Sequence, residues 1–451
     1  MISIKLLALR VGLALRTPTR AWLAGLGLAF AVLACVSSPA FANDIKPTSR
    51  VTHNVVVRAG PSAASTAIGK LHPGETLPEI DSLPSWYQVK LADGTIGYVS
   101  KAWTEEVQSE AVIPSTGLPA FHLYAIDVGT GLSILVTGKD FALLYDGGSN
   151  DDLARGTSNR VIAFLHKVRP DLHRLDHVIL SHPHRDHVEL LPDVIDQYQV
   201  GDVWDSGRVN PICGYRLFLQ EIAAHPSIVY HNALAGGGED DAPFPAQKCY
   251  GQDLPAGTVN VKQGSQITMS PVRLGDSATM TILHADGRDL PSPNQNSLVI
   301  RLDLGSRRIL LMGDAEAGGR ADPSEAPKPG SIESDLLICC SAAVKADLMV
   351  VGHHGSRTSS RAAFVAAVGA HDFIVSSGPT KYASVTLPDD VIINELSALG
   401  TVWRTDKNDS TCPTANKIGP DNDGRAGGCD NIEADIDDAG NVSIRYLQLV
   451  D

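Results

Sequence analysis

Basic residues are in short supply in this chain. It carries 37 lysines and arginines against 51 aspartates and glutamates, a formal charge of −14. Phosphate backbones are held by lysine and arginine neutralisation, so this balance excludes a general nucleic-acid-binding surface and leaves only local contacts, at a metal site for instance. Long apolar runs are missing too. The nearest candidate, AWLAGLGLAFAVLACV near the start, is shorter than the ~20 residues a membrane span needs, which argues against a transmembrane channel. Cysteine is sparse, with seven in all, and its spacings suit no zinc knuckle.

The start reads as a targeting segment. Arg10, Arg16 and Arg20 precede the apolar run, and Ala40-Phe41-Ala42 ends it, as in a secretory signal peptide cut after Ala42; a retained anchor is the alternative. Cleavage removes Lys5 and the three arginines but no acid, taking the net charge from −14 to −18. Six cysteines would remain in an exported, periplasmic or secreted chain, an even number consistent with disulfides. The pairs expected are Cys213–Cys249 and Cys412–Cys429, each closing a loop rich in Gly, Asp and Pro. The adjacent Cys339 and Cys340 are expected to be buried thiols.

Three segments follow: residues 1–42 as signal peptide, 50–107 as an all-β barrel, and 118–451 as a larger α/β unit. In the barrel, NVVVRAGPS is a β-branched run ended by Gly60-Pro61. WYQVKLADGTIGYVSKAW alternates around Asp93-Gly94, a strong hairpin signal. These motifs resemble the bacterial Src-homology-3-like (SH3-like) domain. That resemblance implies a partner such as cell-wall peptide, or else a packing module without a ligand. Trp86, Tyr87, Tyr98 and Trp103 are candidate contacts or core. TEEVQSEAVIPSTGLP (104–119) reads as a linker, and residues 232–258 and 405–431 as surface insertions.

Beyond Phe121, apolar strands alternate with helical segments, which argues for helices layered on sheets. The strand DHVIL delivers SHPHRDH. His182 and His184 lie two apart, on one side of an extended segment, so both can reach one ion. Asp186 and His187 follow at a turn aimed at a second position. Imidazoles with a carboxylate suit zinc and, less well, manganese or iron.

H-x-H-x-D-H after an apolar strand resembles the signature of the metallo-β-lactamase fold superfamily. IDVGTG (126–131), LLYDGGS (143–149), NSLVIRLDLGSRRILLMGDAE (296–316) and DLMVVGHHGSRTS (347–359) resemble segments of one branch, the soluble domain of the ComEC-type competence proteins. The resemblance implies a four-layer αββα sandwich and two divalent metal ions, zinc first and manganese second. It implies the ligands His182, His184, Asp186, His187 and Asp314, with Asp314 bridging. His353 or His354 would complete the second metal; we assign His353 as ligand and His354 as the group facing substrate. Asp186 and Asp314 would orient the attacking water, and Asp127 and Asp146 would brace the metal loops.

Three departures stand out. The superfamily's D-H-x-G-G turn reads Asp186-His187-Val188-Glu189-Leu190, which is expected to place a carboxylate beside the metals. YASVTLP (382–388) lacks an expected histidine. No third histidine for the first metal is evident, since His225, His231 and His284 read as ordinary histidines. The function expected is metal-dependent hydrolysis, of a phosphodiester in nucleic acid or in a phosphorylated envelope component. Ester, lactone or amide cleavage fits the same metals, and an inactive wall-binding protein is the non-enzyme alternative.

Overall fold

A computed structural model describes residues 43–91, 95–108, 119–151, 155–234, 239–262, 264–407 and 427–447. The signal peptide, the Asp93-Gly94 turn, residues 109–118 of the linker and Cys412 lie outside the described residues. The chain divides into two compact units, Met1–Ile113 and Pro114–Asp451.

The first unit is an antiparallel sheet in the order Ala67–Leu71, Val55–Arg58, Ile96–Ser100, Trp86–Lys90, Leu77–Ser82, Asn43–Pro47, Thr104–Gln108. Period-2 alternation builds its core. Tyr87 and Val89 turn inward while Trp86 and Gln88 do not, and Ile45, Val55, Val57, Leu71 and Val99 complete the cluster. Tyr87 is therefore core, whereas Trp103 is 51% exposed. Two differences from expectation concern its edges. Asn43–Pro47, ahead of the expected start at 50, is a strand of this sheet. It pairs along its length with Thr104–Gln108, so the first residues expected of the linker are strand instead.

The second unit holds two mixed sheets. One runs Val229–His231, Gln199–Trp204, Arg174–Ile179, Ala142–Tyr145, Ile134–Thr137, Phe121–Ala125, Ile432–Ile436, Val442–Tyr446. The other runs Val272–Gly275, Ala278–His284, Val299–Leu304, Arg307–Leu311, Leu348–Val350, Asp372–Val375, Thr401–Arg404. Leu123, Leu143, Ile179, Ile300, Leu311 and Val350 meet in one cluster between the sheets. The opposite faces, Leu144 and Val178 on one sheet and Leu310 and Phe373 on the other, pack under helices such as Arg160–Val168 and Ala362–Val368. This is the expected αββα sandwich. Four strands in each sheet run parallel, among them Ala142–Tyr145 with Arg174–Ile179 and Arg307–Leu311 with Leu348–Val350, so their carboxyl ends gather at one edge.

The insertion at 232–258 is not confined to the surface. Its paired strands Glu239–Phe244 and Gly257–Lys262 send Ala242, Phe244, Val259 and Val261 into the core under helix Cys213–Ala224. Cys213 and Cys249 are joined, closing a loop of sequence separation 36, which chain entropy values at about 3–4 kcal/mol. Cys429 is also disulfide-bonded. Cys339 and Cys340 are bonded to each other and are not buried thiols. The core contacts of helix Ile332–Cys340 end at the partly buried Leu337, and beyond it Ile338 is 80% exposed.

Each unit has its own core: the barrel cluster and the three sandwich clusters share no residue. A chain starting near Ser115 should therefore fold alone and keep its metal content, checked by cooperative melting and metal analysis. Failure to fold would show that the sandwich leans on the barrel.

His122, on the strand Phe121–Ala125, supplies a pH prediction. Its Nδ1 lies 2.6 Å from Asp435 and 3.7 Å from Glu433. Arg445 already bridges both acids, at 2.8 and 2.6 Å, so the trio has its cation. The Asp435 hydrogen bond first, then that of Glu433, push the imidazole up from 6.5 to about 9. A raised folded pKa stabilises fully below pH 6.5 and is lost as pH rises through about 9. The group is half-exposed, so the contribution is on the order of 1 kcal/mol. Urea midpoints of wild type and His122→Gln should differ near neutrality and converge in alkali; a gap independent of pH would refute the linkage.

Candidate metal centre

Asp314 follows the strand Arg307–Leu311 and is 2% exposed. The turn before it needs Gly313: φ is +53°, and a Cβ there would meet the Ser181 Cβ at 2.7 Å. That close approach brings the carboxyl ends of two strands, one from each sheet, into contact. His182 follows from Ser181, and His187 from the four-residue helix Arg185–Val188. The Asp146 loop packs flush against that helix, since a Cβ on Gly148 would lie 2.3 Å from the His187 nitrogen.

Four imidazoles face Asp314, two at each oxygen. His182 Nε2 and His353 Nε2 lie 3.6 and 3.7 Å from Oδ2. His187 Nε2 and His354 Nε2 lie 3.2 and 3.5 Å from Oδ1. Each ring is pinned through its other nitrogen, which fixes where Nε2 points. His187 Nδ1 sits 2.8 Å from Asp146 Oδ2, and His354 Nδ1 2.8 Å from the Ser376 carbonyl. His353 Nδ1 meets Thr358 Oγ1 at 2.5 Å and Glu316 Oε1 at 3.1 Å; His182 Nδ1 meets Ser181 Oγ at 3.1 Å. His184 joins through its neighbour, with Nδ1 2.9 Å from His182 Nε2. Asp186 Oδ2 lies 3.5 Å from His354 Nε2.

The electrostatics match a cation site. Burial would raise the Asp314 carboxyl, yet His187, His353 and His354 hold it well below the usual carboxylate range. Burial pushes His182 toward its neutral, ligating form. Burial also disfavours charge on His187, but Asp314 and Asp146 outweigh it. Buried polar atoms without a hydrogen bond gather here: His187 Nε2, His354 Nε2 and Asp314 Oδ1. Unpaired buried groups are costly, and a divalent ion would satisfy all three. His182–His187–Asp314 and Asp186–His187–His354 each offer ligand atoms within 4.8 Å of one another. The residues present fit divalent metal.

Three expectations change. His354, not His353, stands with Asp186 and His187, while His353 reaches the other oxygen of Asp314. Consecutive left-handed residues, with φ of +49° and +53°, turn the adjacent rings to opposite sides. Glu189 is not beside the metals: its carboxylate accepts from Tyr250 and lies 3.9 Å from Arg185. Asp127 braces the segment 427–431 instead of a metal loop, accepting from the nitrogens of Cys429 and Asp430, each at 2.9 Å. Asp146 does brace the His187 loop, accepting also from Ser181 N at 2.6 Å. His225, His231 and His284 are engaged with the Glu221, Ser265 and Ser297 carbonyls, and none of the three is paired with Asp314.

Sequence reasoning missed Tyr382. Its hydroxyl donates to Asp186, and its ring stacks on His354 with centroids 5.8 Å apart. The signal was the tyrosine of YASVTLP, a segment considered only for its absent histidine.

Comparison with known proteins agrees. The family described as "Metallo-beta-lactamase superfamily" matches residues 126–378, and "Bacterial SH3 domain" matches 53–105. The chain is 26% identical over 260 residues to "Recombination protein 2" of Haemophilus influenzae, covering 58% of this chain and 24% of that protein. It is 24% identical over 285 residues to "Uncharacterized protein YcaI" of Escherichia coli, covering 63% and 28%. It thus spans about a quarter of the length of these relatives. Among solved structures, the metallo-beta-lactamase fold protein YhfI of Bacillus subtilis is similar at 15% identity and a TM-score of 0.36, covering 63% of this chain and 97% of that one.

Asp146→Asn tests the pinning of His187. It should weaken metal binding about 10–100-fold while the fold stays intact, because the ring loses its anionic partner. Calorimetric titration with zinc checks this, and unchanged affinity would show that His187 is oriented by packing alone.

Proposed function

Since the chain belongs to the metallo-beta-lactamase superfamily, we propose that it is an exported metal-dependent hydrolase acting on a phosphodiester, in nucleic acid or in a phosphorylated envelope component. The observation that carries the hydrolase reading is the Asp314 carboxylate faced by four imidazole nitrogens. An inactive wall-binding relic would have no reason to keep four rings so aimed. Bound zinc or manganese would polarise the substrate, and zinc would bring the pKa of its water to about 7.

The chain's own groups do the rest. Asp186 and Asp314 supply the oxygen acceptors that orient an attacking water. Tyr382 donates its hydroxyl proton to Asp186 and stacks its ring on His354, which fixes the direction of that carboxylate. His182, His187, Asp314 and His354 are each 2% exposed or less, which shields the centre from bulk water.

Support for a phosphodiester comes from the ComEC-type motifs and from the relative named "Recombination protein 2". Arg185 and Arg357, within the two histidine segments, are local cations for an anionic group. The acidic remainder of the chain favours a short or locally held substrate over a long polyanion. Export is supported by the Cys213–Cys249 bond, which an oxidising compartment maintains. Among the described residues no helix is long and apolar enough to cross a membrane.

The barrel's proposed partner is cell-wall peptide. A cavity of about 470 Å³ is lined by Arg50, His53, Arg58, Trp86 and Trp103. Among the described residues neither arginine has a carboxylate partner; Arg50 donates to the Ala102 carbonyl and Arg58 to that of Ser65, both at 2.8 Å. Free donors beside indole faces suit a peptide carrying carboxylates.

The test is turnover by the purified protein of a panel of phosphodiesters, lactones and β-lactams. Phosphodiester hydrolysis should dominate, vanish on chelation and return with zinc or manganese. Preferential turnover of a lactone or β-lactam would replace the substrate class, and no metal-dependent turnover in the panel would count against the enzyme.

A further inference from the structure

The two oxygens of Asp314 are unequally served. On the Oδ1 side stand His187 and His354 with Asp186 nearby. On the Oδ2 side stand His182 and His353, with His184 behind and Glu316 held at the far nitrogen of the His353 ring. The superfamily's third histidine, expected between the H-x-H-x-D-H signature and Asp314, has no candidate among the histidines of that stretch.

Asn294 occupies that stretch and reaches that side. It lies in the helical turn Pro293–Asn296, its side chain within 3.4 Å of His353 Nε2 through Nδ2. It is 6% exposed, and its Oδ1 is buried without a partner. Neighbours hold the turn rigid. Asn296 Nδ2 donates to the carbonyls of Asp286 and Arg288 at 2.6 and 2.8 Å, and Ser297 Oγ accepts from Asp314 N at 3.1 Å. A buried amide oxygen left unpaired costs on the order of 1–3 kcal/mol, and a cation is the partner that this side of the site is built to receive.

We propose that Asn294 replaces the third histidine: a half-turn of its amide, exchanging Oδ1 with the Nδ2 that now faces His353, gives its side-chain carbonyl to the ion held at the Oδ2 side by His182, His184 and His353. The inference rests on the two-ion reading above. A neutral oxygen is a harder donor than imidazole, so this site should favour manganese over zinc more than a three-histidine pocket of the usual kind.

Titration calorimetry of the metal-stripped full chain with manganese chloride and with zinc chloride tests this, together with metal counted after dialysis. Wild type should hold two ions. Asn294→Ala should keep one and bind the second at least about tenfold more weakly. Asn294→His should hold two and move the preference at the second toward zinc. Asn294→Asp, which keeps the shape of the turn, covers the case in which alanine unfolds it, and should tighten the second ion. Two ions bound as tightly by Asn294→Ala as by wild type, or an unchanged affinity in Asn294→Asp, would overturn the role of Asn294 and leave the two-ion centre standing. Fewer than two ions on wild type would overturn both.

Discussion

A single buried carboxylate sets the terms for the sandwich. An isolated charge at the position of Asp314 would cost several kcal/mol in this interior, and the fold answers with imidazoles on both of its oxygens. Imidazoles help only when their nitrogens point inward, so each ring needs an outer partner: Asp146, the Ser376 carbonyl, Thr358 with Glu316, and Ser181. Several of these partners lie just past the carboxyl ends of parallel strands. Two sheets whose parallel strands end at one edge can supply all of them within a few residues of chain, as loops alone could not. The layered architecture and the metal chemistry are in this sense one constraint.

Much of this was legible in the residues. H-x-H-x-D-H after an apolar strand and Asp314 after RILLMG carry their meaning in local order, because a strand end dictates where the next side chains point. The Cys213–Cys249 pair was legible from compartment and loop composition. The division of labour in HHGS was not. Which of two adjacent histidines faces which oxygen depends on the sign of φ at both, and nothing in the residue types forces left-handed backbone at two non-glycine positions. It is held by surrounding contacts, such as His353 N donating to the Gly313 carbonyl at 3.0 Å. Asn294 and Tyr382 were hidden for a related reason: each is defined by what the fold brings opposite it, across 59 and 196 residues of chain.

Composition misled in two places. The Gly- and Pro-rich stretch around 232–258 reads as surface because its polar residues outnumber its apolar ones, yet Phe244, Val259 and Val261 suffice to seat it in the core. Cys339 and Cys340 continue an apolar helical run, but the run outlasts the core beneath it. In both cases residue type alone said nothing of where the neighbouring core begins and stops.

Glu189 links these observations. It stands two residues after His187, where the superfamily's pattern has glycine, and burial raises its carboxyl despite the Tyr250 hydrogen bond and the nearby Arg185. Tyr250 follows Cys249 directly, and Cys249 is bonded to Cys213 at the start of helix Cys213–Ala224. A Cβ on Gly214 would meet the Glu189 carboxylate at 2.7 Å, so the helix start closes over it. The short helix that carries Asp186 and His187 is thereby gripped on both sides, by Asp146 through the His187 ring and by the disulfide-closed loop through Glu189. Glycine in that turn would leave the second grip out. The departure from the family pattern ties the helix of Asp186 and His187 to the disulfide-closed loop, where the sequence alone suggested a carboxylate beside the metals.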